Sequence, residues 1–237
     1  MRVALVTGAA TGIGLATADL LEERGWRVAR NHLPGQDVRG HGFAADVGDP
    51  AAVNAMVERI TAELGAVSLL VSNAAAMIMG AIERVSEADF WKVVDTNLGG
   101  YFNCARACAP PMAEAGWGRI VAISSEWGQT GWPGATAYCA SKAGMISMTK
   151  ALARELGPSG ITANAIAPGV IDTPQLEVDA ADARVTLDEI KRRYAAATPL
   201  GRIGEAREVA MAVAYLASDS AGSLTGQVLS PNGGTTL

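Results

Sequence analysis

Four apolar residues, Val3–Val6, run directly into Thr7-Gly-Ala-Ala-Thr-Gly-Ile-Gly14 and then into a helical pattern over Leu15–Arg24. Strand, glycine turn and helix in immediate succession constrain the fold more than any other stretch. Glycines let backbone and ligand approach closely, and a helix that starts there presents free N–H groups and a positive dipole end, which suits a pyrophosphate. The spacing Gly8, Gly12, Gly14 departs from the G-x-G-x-x-G pattern of dinucleotide sites. A tight turn without a ligand is therefore the competing reading of the loop taken alone.

The same alternation continues along the chain. Trp26–Asn31, Gly42–Asp46, Val67–Val71, Arg119–Ile123, Ile161–Ile166 and Gln227–Ser230 read as further strands. Helical patterns fall at Pro50–Leu64, with Asp49 as a cap, at Ser86–Ala115 with an interruption at Gly99-Gly100, and at Ala137–Leu156, Leu187–Ala197 and Glu205–Ser218. Leu33–Arg39 is too short for a crossover helix, Gly128–Gly134 reads as a loop, and Ile171–Thr186 as an irregular acidic stretch. Strands alternating with helices imply an α/β fold: a Rossmann-like, doubly wound, seven-stranded parallel sheet with helices on both faces. One domain over residues 1–237 is expected, with a polar substrate lid over about 171–198.

Composition narrows the partners. A net charge of −5 argues against nucleic acid or an anionic membrane. Cys104, Cys108 and Cys139 show no CxxC spacing, and His32 and His41 are the only histidines, so no metal site is expected. The apolar run at Arg2–Val6 is too short for a signal-peptide core and no transmembrane-length run follows, which makes the cytoplasm the expected location.

Tyr138-Cys-Ala-Ser-Lys142 is the stretch that carries chemistry. On a helix, positions four apart are neighbours, and an ammonium beside a phenol lowers its pKa from about 10 towards the range of a general acid/base. Ser125 stands at the end of the fifth strand, at the edge where doubly wound sheets bind ligands. The second strand ends without the usual ribose-binding acid: no Asp or Glu lies between Glu23 and Asp37, and Arg30, Asn31 and His32 occupy the place. That leans towards a 2′-phosphate and NADP(H) over NAD(H).

Thr7-Gly8-(x)3-Gly12-Ile13-Gly14, Ser72-Asn73-Ala74-Ala75, Asn97, Ser125, Tyr138-(x)3-Lys142 and Pro168-Gly169-(x)3-Thr173 occur together and in order. The chain resembles the short-chain dehydrogenase/reductase family, of the compact type that includes 3-oxoacyl-carrier-protein reductases. The resemblance runs from Arg2 to the end, including Asn232-Gly233-Gly234. It implies Tyr138 as general acid/base, Lys142 lowering its pKa and binding the nicotinamide ribose, Ser125 bonding the reacting oxygen, and Asn97 anchoring a relay water. It further implies Gly8, Thr11, Gly12, Ile13 and Gly14 at the pyrophosphate, Asn31 and His32 at the adenosine, Asp46 and Val47 beside the adenine, and Asn73 and Ala74 at the ribose. Pro168, Gly169, Val170 and Thr173 follow as the loop beside the carboxamide.

Departures from the family pattern are Ser72, where Asn is frequent, Ala75, where Gly is usual, and Thr11, where many NADP-preferring members carry a basic residue. The positions matching the carrier-docking surface hold Glu114-Ala-Gly-Trp117 and Pro158-Ser159 rather than basic residues. A free small-molecule ketone or secondary alcohol is therefore favoured over a carrier thioester. Met77, Glu126, Trp127 and Trp132 are expected to wall an apolar pocket. Glu126 reads either as a partner for a substrate hydroxyl or amine or, preferred on general grounds, as a solvated carboxylate. The alternatives are a 3-oxoacyl-carrier-protein reductase and a dinucleotide-binding regulator without catalysis. The resemblance also implies a homotetramer packed through Ser86–Ala115 and Ala137–Leu156, with Cys104, Ala105, Ala107, Cys108, Ala143 and Gly144 permitting close approach.

Overall fold

A computed structural model of the chain describes residues 1–236; Leu237, the last residue of the expected domain, lies outside the described residues. In chain order the elements are β1 (Val3–Val6), α1 (Gly12–Glu23), β2 (Arg27–His32), β3 (His41–Ala44), α2 (Pro50–Leu64), β4 (Val67–Ser72) and α3 (Glu87–Val94). After a π turn at Asp95–Gly99 come α4 (Gly100–Glu114), β5 (Gly118–Ile123), α5 (Trp127–Thr130), α6 (Thr136–Leu156) and β6 (Ile161–Ile166). The chain closes with β7 (Ile171–Asp172), α7 (Gln175–Asp182), α8 (Leu187–Ala196), β8 (Gly204–Glu205), α9 (Ala206–Leu216) and β9 (Val228–Leu229).

Seven strands form one parallel sheet in the order β3-β2-β1-β4-β5-β6-β9. Side chains alternate between faces along a strand. Leu5, Leu70, Ile120 and Ala163 therefore pack against α2, α4 and α6, while Val6, Leu69, Val71 and Val121 pack against α1 and α9. β4 lies at the centre, as its apolar run implies. Strand order reverses between β1 and β4, which opens a crevice at their C-terminal ends. Thr7 and Asn73 meet there.

Local chemistry sets several boundaries. Asp49 caps α2, its carboxylate accepting from the N–H groups of Ala51 at 2.8 Å and Ala52 at 3.3 Å, with Pro50 in the first turn. The interruption expected at Gly99-Gly100 is a widened turn inside a continuous helical path, and it carries Asn97. Gly100 is required where the helix crosses Val47, since a Cβ there would stand 2.6 Å from a Val47 methyl.

Two expectations are corrected. The stretch Ile171–Thr186 is not irregular: β7 pairs with β8, and α7 buries Leu176 and Ala180, one helical turn apart. Cys104, Ala105 and Cys108 do not lie on an outer helix face; they are buried against the sheet. The outward surface of α4 and α6 instead shows Phe102 beside a groove lined by Leu98, Gly144 and Met148.

Candidate active site

The glycine loop is held from two sides. The Thr7 hydroxyl accepts from the N–H groups of Asn73 and Ala74, both at 2.9 Å, and the Asn73 amide donates to the carbonyls of Thr7 at 2.9 Å and Gly8 at 3.2 Å. Asn31 receives the Gly8 N–H at 3.3 Å and donates to Phe43 and Ala45 carbonyls. Gly8 has φ +62°, and a Cβ there would meet Ala74 Cα at 2.9 Å. At Gly14 a Cβ would overlap the Gly8 carbonyl oxygen. No acidic residue occupies the first turn of α1, whose N-terminus faces this loop. This is a backbone cradle with a positive end, and it fits a pyrophosphate.

A groove of about 480 Å³ runs along the cradle. Gly8, Thr11, Gly12, Ile13 and Asn31 line one side, and Asp46, Val47, Asn73 and Ala74 another. Gly14 is buried behind the loop. Leu33, Gln36 and Thr96 also line the groove, although no motif marks them. His32 does not face it: its ring packs over Gly42 and its Nδ1 meets the Leu33 carbonyl at 3.0 Å.

Arg30 is turned away as well. It is fully buried on the α1 side of β2, paired with Asp19 and Glu22, each at 2.8 Å. Alternation explains this, because Arg30 shares the face of Val28 and not that of Asn31. Neither basic residue noted at the end of the second strand lines the groove.

At the other end the groove meets a cavity of about 220 Å³, sharing Ile13, Asn73, Ala75 and Thr173 with it. Ser125, Glu126, Trp127, Tyr138 and Lys142 line this cavity, facing Pro168, Gly169, Val170 and Met77. Trp132 is not in the wall but stacks on Trp127 with centroids 4.9 Å apart, and Trp127 sets its plane edge-on to the Tyr138 ring. Gln175, Leu176 and Asp179 of α7 and Tyr194 of α8 complete the lining. The Leu176/Ala180 spacing was the available sign of α7.

The central trio is tightly fixed. Gly128 lets α5 approach α6, since a Cβ there would stand 2.8 Å from the Lys142 carbonyl carbon. The Ser124 hydroxyl donates to that same Lys142 carbonyl at 2.8 Å. Ser125 and Tyr138 line the same cavity, and the Ser125 oxygen accepts the Trp127 N–H at 3.2 Å. Lys142 Nζ donates to the Ile123 carbonyl at 2.7 Å.

Electrostatics at this trio differ from the expectation. Burial pushes the Tyr138 phenol up to about 12, outweighing the opposing influence of the nearby Ser125 hydroxyl. Burial likewise pulls Lys142 down to about 7. A lysine half-charged at neutral pH and bonded to a carbonyl does little to draw the tyrosine proton away.

Asn97 lies behind the cavity and is fully buried. Its amide accepts from the Ala76 N–H at 2.7 Å and donates to the Ala76 carbonyl and to the Ser141 hydroxyl, both at 3.0 Å. Ser141 in turn donates to the Tyr138 carbonyl at 2.8 Å. Both amide donors are thus taken up within the protein. Glu126 is not a solvated carboxylate: it is 7% exposed, accepts a hydrogen bond from Thr235, and burial raises its pKa.

Comparison with known proteins fits this arrangement. A family model described as "Enoyl-(Acyl carrier protein) reductase" matches residues 8–236. The 3-oxoacyl-acyl-carrier-protein reductase FabG of Salmonella typhimurium is 38% identical, over 98% of this chain and 96% of its own. The chain belongs to the short-chain dehydrogenase/reductase family. Another relative of this dehydrogenase/reductase, nodulation protein G of Azospirillum brasilense, is 41% identical over 98% of this chain and 97% of its own. Aldohexose dehydrogenase of Thermoplasma acidophilum, in ligand-free form, superposes with a TM-score of 0.94 at 33% identity, covering 99% of this chain and 94% of that one. The chain is accordingly an NAD(P)-dependent oxidoreductase with a Rossmann-like fold.

Proposed function

We propose that this dehydrogenase/reductase interconverts a free small-molecule ketone and its secondary alcohol, with Tyr138 as the general acid/base. The observation that carries the reading is the gathering of Ser125, Tyr138 and Lys142 in one cavity that opens onto the glycine cradle. The nicotinamide dinucleotide, when bound, supplies or accepts the hydride. The residues of the chain do the rest. The loop from Gly8 to Gly14, with the N-terminus of α1, would hold the pyrophosphate, and Asp46 and Val47 would flank the adenine. Val170 and Thr173 would border the carboxamide, and Lys142 would hold the nicotinamide ribose. Tyr138, protonated at its oxygen up to about pH 12, donates that proton to the carbonyl oxygen. Ser125 donates to the same oxygen as charge develops there. Asn97 is a positioning residue, acting through Ala76 and Ser141.

The FabG relatives favour a second reading, a 3-oxoacyl-carrier-protein reductase. Against it stand the exposed Glu114-Ala115-Gly116 turn and the lack of basic residues at Pro158-Ser159, which give an acidic carrier nothing to dock on. The name of the aldohexose dehydrogenase neighbour points to a free substrate. Turnover of free ketones, with no salt-sensitive gain when the same acyl group is carried by acyl-carrier protein, supports the first reading. A carrier-dependent rate that falls steeply with salt overturns it.

For the cofactor we propose use of both NADP(H) and NAD(H). The groove receives neither Arg30 nor His32, the basic groups that with the missing acid lean towards NADP(H); neutral Asn31, Leu33 and Gln36 line its adenosine end. The apolar groove over α4 and α6 supports a homotetramer, and a light-scattering mass of one chain would contradict it. A cytoplasmic location fits the free, buried Cys104 and Cys108; among the described residues no helix is long and apolar enough to cross a membrane.

A further inference from the structure

The wall of the catalytic cavity is more acidic than carbonyl reduction needs. Glu126 directly follows Ser125 and enters from the end of β5, and Asp179 enters from α7. Among the described residues the one cation lining the cavity is Lys142, whose Nζ is turned to the Ile123 carbonyl. The two Asp179 oxygens already accept from Gln175 at 3.1 Å and Tyr194 at 3.3 Å. Glu126 is different. Thr235, on one carboxylate oxygen, is the one hydrogen-bond partner of its side chain among the described residues. The other oxygen has no hydrogen-bond partner among the described residues, and Glu126 lines the cavity together with Ser125 and Tyr138.

A carboxylate only accepts hydrogen bonds, and one this buried costs stability unless donors reach it. The backbone fixes where it sits: the Glu126 N–H donates to the Pro168 carbonyl at 2.9 Å, and its carbonyl receives Gln129 and Thr130. Gly169 opposite has no side chain to fill the space, and a Cβ there would stand 3.1 Å from a Glu126 carboxylate oxygen. The group is therefore held rigidly at the cavity, not folded out to water.

We infer that Glu126 determines substrate class: the ketone carries a hydroxyl near its reacting carbonyl, and Glu126 accepts a hydrogen bond from it. The inference rests on the oxidoreductase reading and deepens it. Acyl chains bring no donor and leave the second carboxylate oxygen without one, and substrate carboxylates meet two like charges. Sites that hydrogen-bond a substrate hydroxyl reject the analogue lacking it strongly, because their buried groups are then left without partners.

Matched ketones differing only in hydroxyl for methyl test this: hydroxyacetone against butanone, and dihydroxyacetone against pentan-3-one. For the wild-type enzyme the hydroxylated member should be favoured in kcat/KM by at least about tenfold, the scale of one hydrogen bond to a charged group. In Glu126→Ala that ratio should fall by about the same factor, through a raised KM, and in Glu126→Gln, which keeps an acceptor, it should recover in part. Quenching of reduced-dinucleotide fluorescence, measured alongside, shows that each variant retains its cofactor site. Equal efficiency on both members, or a preference that survives in Glu126→Ala, overturns the assignment. Bound dinucleotide with no turnover of any ketone instead removes the oxidoreductase reading, and the assignment with it.

Discussion

Lys142 Nζ lies 5.5 Å from the ring centroid of Tyr138, yet donates its hydrogen bond to the Ile123 carbonyl at 2.7 Å. The two side chains are neighbours on α6, as their spacing requires, but burial governs both. It holds the phenol protonated up to about 12 and lets the ammonium discharge at about 7. At neutral pH the site is therefore set to give a proton from Tyr138, and Lys142 is the group that titrates.

This sets a pH dependence. The efficiency of ketone reduction should decline as pH rises through about 7, as Lys142 loses its charge beside the reacting region. In Lys142→Met that limb should vanish along with most of the rate. A wild-type profile flat from pH 6 to about 9 would contradict the assignment of the titrating group.

The same burial predicts a stability effect. The folded-state pKa of Lys142 is about 7, below the value near 10.4 of an unfolded lysine. Unfolded chains thus bind more protons between those pH values, and wild-type stability rises with pH across that window. Below about pH 7 the full cost of the buried charge applies. Lys142→Met removes that cost and loses one hydrogen bond, so at pH 6 it should be more stable by roughly 3 kcal/mol. Urea melts at pH 6 and pH 10 check this, with the advantage shrinking at the higher pH.

Asn97→Ala leaves the N–H and carbonyl of Ala76 without their Asn97 partner and removes the bond that the Ser141 hydroxyl accepts. Stability should fall by about 2–4 kcal/mol, the cost of unpaired buried groups. Turnover should fall too, with the KM for dinucleotide little changed. Unchanged thermal stability would show that Asn97 is not the strut described.

Gly14→Ala should abolish dinucleotide binding, because the new Cβ overlaps the Gly8 carbonyl oxygen and stands 2.6 Å from Asn73 Nδ2. Titration of reduced-dinucleotide fluorescence measures this directly. Wild-type affinity in a folded variant would mean that the loop does not form the cradle.

Arg30→Ala should leave the ratio of NADPH to NADH efficiency unchanged while lowering stability, since Arg30 holds Asp19 and Glu22 on the far face of β2. A loss of about tenfold confined to NADPH, about 1.4 kcal/mol, would place Arg30 at the phosphate after all.

Much of this architecture was legible in the residues. Asp49-Pro50 marked the start of α2, the apolar run of β4 marked its central place, and the ordered motifs gathered around one crevice. What failed depended on direction rather than type. Arg30 and Asn31 are adjacent in sequence, but strand alternation sends one to α1 and the other to the groove. Glu126 looked like a surface carboxylate because nothing local shows that Gly169 and Thr235 close over it. The phenol shifts upward because burial, a property of the whole fold, outweighs a neighbour four residues away.

The most direct test of the central claim is the loss of reduced-nicotinamide absorbance on free ketones by the wild-type enzyme and by Tyr138→Phe. The account predicts wild-type turnover and a fall of about 10²–10⁴-fold in the variant, with dinucleotide affinity retained. Turnover that survives in Tyr138→Phe would contradict the role given to Tyr138.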